Sequence, residues 1–201
     1  ANPDMRRVFA YLTGTRCLDQ RVVKAFVKAK MIYEDAAYHN AVFVGYDLEG
    51  VPRHAHKRGT YTKGEPFKGN VDGCDPRYSF HWTGKSDMVY VFEAPIDLLS
   101  FISLYQKDWR MHSYVALCGV AEHALLQLLS DASQVKRIAL CLDNDKAGIQ
   151  ARERIKQRLS ERGYRDVFPL FSQQKDWNED LQALTKPPPK QEEQGFAMRM
   201  G

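Results

Sequence analysis

The spacing of apolar positions changes character along the chain. Val22, Val23, Phe26 and Val27 fall at helical intervals behind Asp19, a residue suited to capping a first turn, and predict a helix over Arg21–Lys30. Arg7–Leu12 predicts a short helix ahead of it. Ala41–Tyr46 (AVFVGY) is a compact β-prone run, and Asp47–Gly50 (DLEG) is a turn signal leading into Val51–Lys57, the pattern of a hairpin. Gly59, Gly64, Gly69 and Gly73 then punctuate a loop-rich stretch before a strand at Tyr78–Trp82. Residues 1–85 are expected to form a small α+β subdomain.

From Asp87 onward strands and helices alternate. Val89–Phe92, Ser113–Leu117, Ile138–Leu142 and Val167–Phe171 read as strands. Between them Pro95–Gln106, with Ile96, Leu99 and Ile102 on one side, Val120–Leu129 and Lys146–Arg162 read as helices. Apolar strands separated by helices imply an α/β fold, a parallel sheet flanked by helices on both faces, here over residues 86–186. The stretch from Pro187 (PPPKQEEQG) cannot continue a helix, so residues 187–201 are expected to be a disordered tail. Asp108-Trp109-Arg110 reads as loop, and no internal repeat is visible.

Acidic residues fall at the strand ends. Glu93 follows the first strand of the series; Asp143 follows the third, with Asp145 two residues on. In open α/β sheets ligands bind beyond the carboxyl ends of the strands. If those two strands are neighbours, the three carboxylates converge, and their repulsion calls for a cation. Oxygen donors without His or Cys select Mg²⁺ or Mn²⁺. Asp176, Asn178 and Asp180 follow the last strand and are candidates for further ligands. Asp145 is equally placed to cap the next helix, and Asp97 to start the preceding one.

Composition narrows the class. The chain has 201 residues, 44% hydrophobic and 27% charged, ordinary for a water-soluble globular protein. No apolar run approaches the roughly 18 residues that span a bilayer, and Ala1–Arg7 lacks the apolar core of a signal peptide, so no membrane partner and a cytoplasmic location are expected. Cys17, Cys74, Cys118 and Cys141 form no CxxC pair, which argues against zinc. The net charge of +4 is uneven: residues 1–30 carry seven basic side chains against two acidic ones, and residues 51–70 five against one. That half suits a polyanion, nucleic acid first, or is a solvated basic surface. His54 and His56 share a strand face and, without a third ligand, read as surface or nucleic-acid-facing residues.

Glu93-Ala94 with Pro95–Ser100 resembles the first motif of the Toprim domain, shared by bacterial primases, topoisomerases and OLD-type nucleases. Asp143-Asn144-Asp145-Lys146-Ala147-Gly148 resembles its second, and Lys175-Asp176-Trp177-Asn178 the later lysine–aspartate segment of primase-type Toprim domains. Many relatives have Gly where this chain has Ala94. In the first half, Phe43–Gly50, Arg58-Gly59-Thr60, Phe67-Lys68-Gly69 and Gly73-Cys74 resemble a module of unknown function that precedes Toprim in primase-like proteins of bacterial mobile elements. Its counterpart in bacterial primases is the basic subdomain of the polymerase core.

The resemblance implies Mg²⁺ or Mn²⁺ held by Glu93, Asp143 and Asp145, with Asp176 and Asn178 assisting. The catalytic groups would be Glu93, Asp143 and Asp145, Glu93 serving as ligand or general base. Arg53, Lys57, Arg58, Lys68 and Lys146 become candidates for phosphate contacts. The interleaved Tyr61, Phe67, Tyr78 and Trp82 suit single-strand stacking or, equally, a core. The implied activity is a primase-like nucleotidyltransferase acting on single-stranded DNA with nucleoside triphosphates, alongside a helicase, relaxase or other replication protein. The alternatives are a metal-dependent OLD-like nuclease and a non-catalytic nucleic-acid-binding module.

Overall fold

The computed structural model describes residues 1–61, 64–119 and 121–186. The expected disordered tail and Val120, placed at the start of a helix, lie outside them.

The basic half opens with a short helix, α1 (Arg6–Ala10), that runs into a wider π-type turn at Tyr11–Thr15. Asp19 caps α2 (Gln20–Lys28) as its position predicts, accepting from the amides of Arg21 (2.7 Å) and Val22 (3.3 Å). Its second oxygen accepts from the Gln106 side chain at 3.0 Å, tying the helix start to the second half. Four antiparallel strands follow in the order β1 (Ile32–Glu34), β2 (Ala41–Tyr46), β3 (Pro52–Arg58) and β4 (Lys68–Asn70). The β2–β3 hairpin is the expected one. The outer strands β1 and β4, three residues each, are too short to carry a readable alternation.

The second sheet has the order β5 (His81–Trp82), β7 (Ser113–Ala116), β6 (Met88–Phe92), β8 (Arg137–Leu140), β9 (Asp166–Pro169); all pairs are parallel except β5 with β7. Alternation along its strands builds two cores. Val89, Val91, Val115, Ile138 and Leu140 face α4 (His123–Asp131) and α5 (Lys146–Glu161). Met88, Phe92, Ala116 and Cys141 face α3 (Pro95–Leu104) and α6 (Trp177–Thr185). This second core is continuous with the first half, since Phe26, Phe43 and Phe80 belong to the same cluster as Phe92, Leu98 and Trp177.

Three expectations are corrected by that shared core. The strand anticipated at Tyr78–Trp82 shrinks to two residues and joins the second sheet, because Gly45 of β2 packs on the carbonyls of Tyr78 and Ser79, where a Cβ would overlap them. Trp109 is no loop residue: the left-handed Asp108 (φ 52°) folds it inward, and its ring stacks on Phe26 at 5.4 Å. His54 and His56 are buried at 3% and 9% exposure, opposite Gly45 and Phe43, and not on the surface. Burial pushes His54 down to about 4.

Asp19→Ala is expected to cost about 1–2 kcal/mol of stability by loss of the cap, with Asp19→Asn nearly neutral, read by urea unfolding. Equal stability of Asp19→Ala and the unsubstituted protein would contradict the role given to this cap.

Candidate metal and phosphate cleft

The β6 and β8 strands are direct neighbours, so the condition for convergence is met and Glu93 and Asp143 leave adjacent strand ends. Both line a cleft of about 430 Å³ between the two halves, together with Asp97 and Asp176. Gly148, in the first turn of α5, makes their approach possible: a Cβ there would overlap the Asp143 carbonyl and stand 2.7 Å from Glu93 Oε1. Glu93 Oε1 and Asp143 Oδ1 are buried without any hydrogen-bond partner.

The electrostatics match that crowding. Burial, then the charges of Glu93, Asp176 and Asp145, push Asp143 from 3.8 up to about 7. Burial and Asp145 raise Glu93 as well. Asp97, only 7% exposed, is raised well above the usual carboxylate range by burial and by Asp176 and Asp143. Carboxylates in this condition fit a hard divalent cation, which would restore their ionised forms. Among the described residues, however, no three His, Cys, Asp or Glu side chains stand close enough to hold an ion together. Two acids are turned to other partners. Asp145 caps α5 through the Gly148 amide (2.9 Å) and pairs with Lys175 at 3.7 Å, and Asp176 caps α6 through the Glu179 amide (2.8 Å).

Asn178 is placed differently from the sequence reading. Its amide nitrogen donates to the Arg16 carbonyl (2.8 Å) and the Ser100 hydroxyl (2.9 Å), and its oxygen accepts from Arg16 (3.2 Å) and Gln182 (2.7 Å). The side chain is a clasp between the halves, with no oxygen left to ligate metal. Asp180 fixes the loop before α6 by accepting from the amides of Gln173 and Gln174.

The phosphate candidates divide by strand face. Arg58 and Lys68, paired across β3 and β4, line the cleft with His56 and Asn70. His56 Nδ1 lies 2.7 Å from Asn70 Oδ1, and Arg58 Nε is buried without a partner. Arg53 and Lys57 do not line the cleft, and Arg53 is held by Asp47 at 2.6 Å. Lys146 is exposed at the start of α5. Tyr61 and Phe67 are exposed at 60% and 57%, outside the cleft lining. Two cleft residues escaped notice in the sequence. Asp97 looks like an ordinary first-turn acid, although its place four residues after Glu93 puts it one helical turn beyond the strand end. Arg16 sits in a loop without pattern, yet Tyr11 and Asn178 hold its guanidinium at the cleft wall.

Residues 10–86 match a family described as a protein of unknown function (DUF3991), and residues 90–181 match the Toprim-like family. An uncharacterized protein of Bacillus anthracis is 26% identical over 210 residues, covering 94% of this chain and 60% of its own length. An uncharacterized protein of Mycoplasma genitalium is 30% identical over 97 residues, covering 47% of this chain and 42% of its own. The chain therefore spans less than two thirds of either relative. Among solved structures, the primase fragment of the bacteriophage T7 primase-helicase protein is similar with a TM-score of 0.61 and 19% identity, over 82% of this chain and 66% of that one. The RNA polymerase domain of Mycobacterium tuberculosis primase is similar with a TM-score of 0.55 and 15% identity, over 91% and 75%. These likenesses establish a primase-like fold.

Two predictions arise from the acid cluster. A carboxyl raised on folding favours the folded state while protonated; that contribution is complete below about 4 and is lost as pH rises through about 7. His54, His56 and His81 are lowered by burial, and their stabilising contributions keep growing through 6.5 and are complete about a pH unit above it. Between pH 6.5 and 8 the two effects oppose each other, so the carboxyl is read by difference: without divalent cation the unsubstituted protein should lose about 1 kcal/mol of stability relative to Asp143→Asn, a few degrees in Tm. Mg²⁺ should remove that divergence, and metal-free Tm curves of the two proteins that stay parallel across the window would refute it. Gly148→Ala should displace Glu93 and Asp143 and weaken Mn²⁺ binding at least tenfold by calorimetry, and unchanged affinity would contradict the packing argument.

Proposed function

We propose that this chain, a DUF3991 module joined near residue 85 to a Toprim-like domain, is a primase-like nucleotidyltransferase module acting on single-stranded DNA. The observation that carries the reading is a set of three unpartnered buried atoms on one cleft: the cationic Arg58 Nε, and the anionic Glu93 Oε1 and Asp143 Oδ1. A buried polar group left without a partner is costly, so the set marks a place for a ligand that brings both charges. A phosphate bound together with a divalent cation answers that description. Among the described residues no helix is long and apolar enough to cross a membrane.

Mg²⁺ would be held by Glu93 and Asp143, with Asp145 and Asp176 contributing once they turn from their caps; it would neutralise charge on the phosphate. The chain's own residues do the rest. Arg58, Lys68 and Arg16 bind and orient phosphate oxygens from the opposite wall. Asp97, buried beneath the acids, donates or withholds a proton at its carboxyl and so adjusts their total charge. Glu93, with its free oxygen, is placed to accept a proton from an attacking hydroxyl. The T7 relative belongs to a primase-helicase protein, and a helicase, relaxase or other replication partner is part of the proposal here.

Calorimetry with Mn²⁺ and a nucleoside triphosphate tests the reading. The unsubstituted chain should bind Mn²⁺ and bind it more tightly with triphosphate present. Asp143→Asn should abolish binding, and Arg58→Ala should retain Mn²⁺ alone but lose the gain from triphosphate. Metal binding indifferent to triphosphate would favour a nuclease of the OLD-like sort. Absence of binding at millimolar metal would favour a non-catalytic nucleic-acid-binding module, which the turned-away Asp145 and Asp176 would then suit.

A further inference from the structure

The ring of Phe171 stands 53% exposed just beyond β9. The ring is not loose. The Arg152 guanidinium lies over it, 4.6 Å from the centroid. Arg152 is itself only 5% exposed, and its terminal nitrogen donates to the carbonyls of Leu142 (2.9 Å) and Asp143 (3.2 Å). One buried side chain therefore connects the ring to the backbone that carries Asp143. The next residue, Ser172, is anchored to the same turn, because the Asn144 side-chain nitrogen Nδ2 donates to its carbonyl and to its hydroxyl, each at 3.0 Å. Lys146 and Ile149 are exposed on the first turn of α5, and Lys175 is exposed on the loop before α6, where it pairs with Asp145. An aromatic ring held by a buried guanidinium and half exposed to water has the make-up of a base-stacking surface.

We propose that Phe171 is a stacking platform for a nucleobase, and that Arg152 positions it relative to Asp143. The inference rests on the reading of the cleft as a phosphate site, since a base can reach the ring only if its phosphates are drawn to the acids. The base belongs either to a single-stranded DNA or to a bound nucleoside triphosphate, and the shared chemistry is an exposed π-face.

The probe is 2-aminopurine, whose fluorescence is quenched on stacking, carried in a single-stranded oligonucleotide or on a nucleoside triphosphate, with Mg²⁺ present. The unsubstituted protein should quench the probe. Phe171→Leu should bind it about tenfold more weakly and lose the quench, while Phe171→Trp keeps both. Tyr38→Leu, which removes another exposed ring that does not line the cleft, should change neither. Quenching confined to the oligonucleotide assigns the platform to the strand, and quenching confined to the triphosphate assigns it to the nucleotide. Binding and quenching by Phe171→Leu equal to those of the unsubstituted protein would overturn the platform and leave the cleft reading intact. Failure of the unsubstituted protein to bind either probe would overturn the cleft reading, and the platform with it.

Discussion

Like charge held in a partly dry cleft is the constraint around which the rest of the molecule is arranged. Glu93, Asp97, Asp143 and Asp176 share one cavity; burial and neighbouring acids raise Asp97 and Asp143, and burial with Asp145 raises Glu93. A folded chain accepts such repulsion only where other interactions hold the groups in place. Here those interactions are local and mostly backbone-directed. Asp145 and Asp176 cap helices, and Arg152 donates to the carbonyls of Leu142 and Asp143. Each fixes the position of an acid without supplying a full counter-charge at its carboxylate.

The second support is the seam between the two halves. Asn178 spans it with four hydrogen bonds, reaching Arg16 on one side and Ser100 and Gln182 on the other. Around it runs an aromatic core to which both halves contribute, with Phe26, Trp82 and Trp109 in mutual contact. Since Asp176 caps α6 and Asn178 lies in its first turn, the same turn that presents an acid to the cleft also fastens the basic module beside it. Geometry of the acids and placement of Arg58 and Lys68 are thereby coupled.

How much of this was legible follows from the range of each signal. Glu93 and the Asp143–Asp145 pair end strands that announce themselves as apolar runs, so the acids could be placed on one sheet edge from the sequence alone. The helix caps were equally local, and Asp19 and Asp145 both cap as their positions suggest. The basic wall was only half legible. Period-two alternation separates Arg58 from Arg53 and Lys57, but which face of β3 meets the acids is decided by Gly45 lying against the Tyr78–Ser79 backbone, a contact no local pattern carries. Trp109 and Asn178 were misread for the same reason. Their neighbours, Phe26 and Arg16, lie more than 80 residues away in sequence, and a short segment gives no hint of them.

The opposed walls of the cleft are informative in a way that neither is alone. Among the described residues no ion pair joins Arg58 or Lys68 to the acids facing them; the ion pair in the cleft is that of Lys175 with Asp145. Had the walls closed into direct salt bridges, the site would satisfy itself and exclude a ligand. Kept apart, with His56 and Asn70 bonded to each other rather than to either wall, they leave unsatisfied charge of both signs across one gap. A neutral or singly charged ligand would settle one wall at the expense of the other. Only a ligand that carries anionic oxygens toward the arginine and a cation toward the carboxylates relieves both, and that requirement restricts the chemistry of the site more tightly than the likeness of fold does.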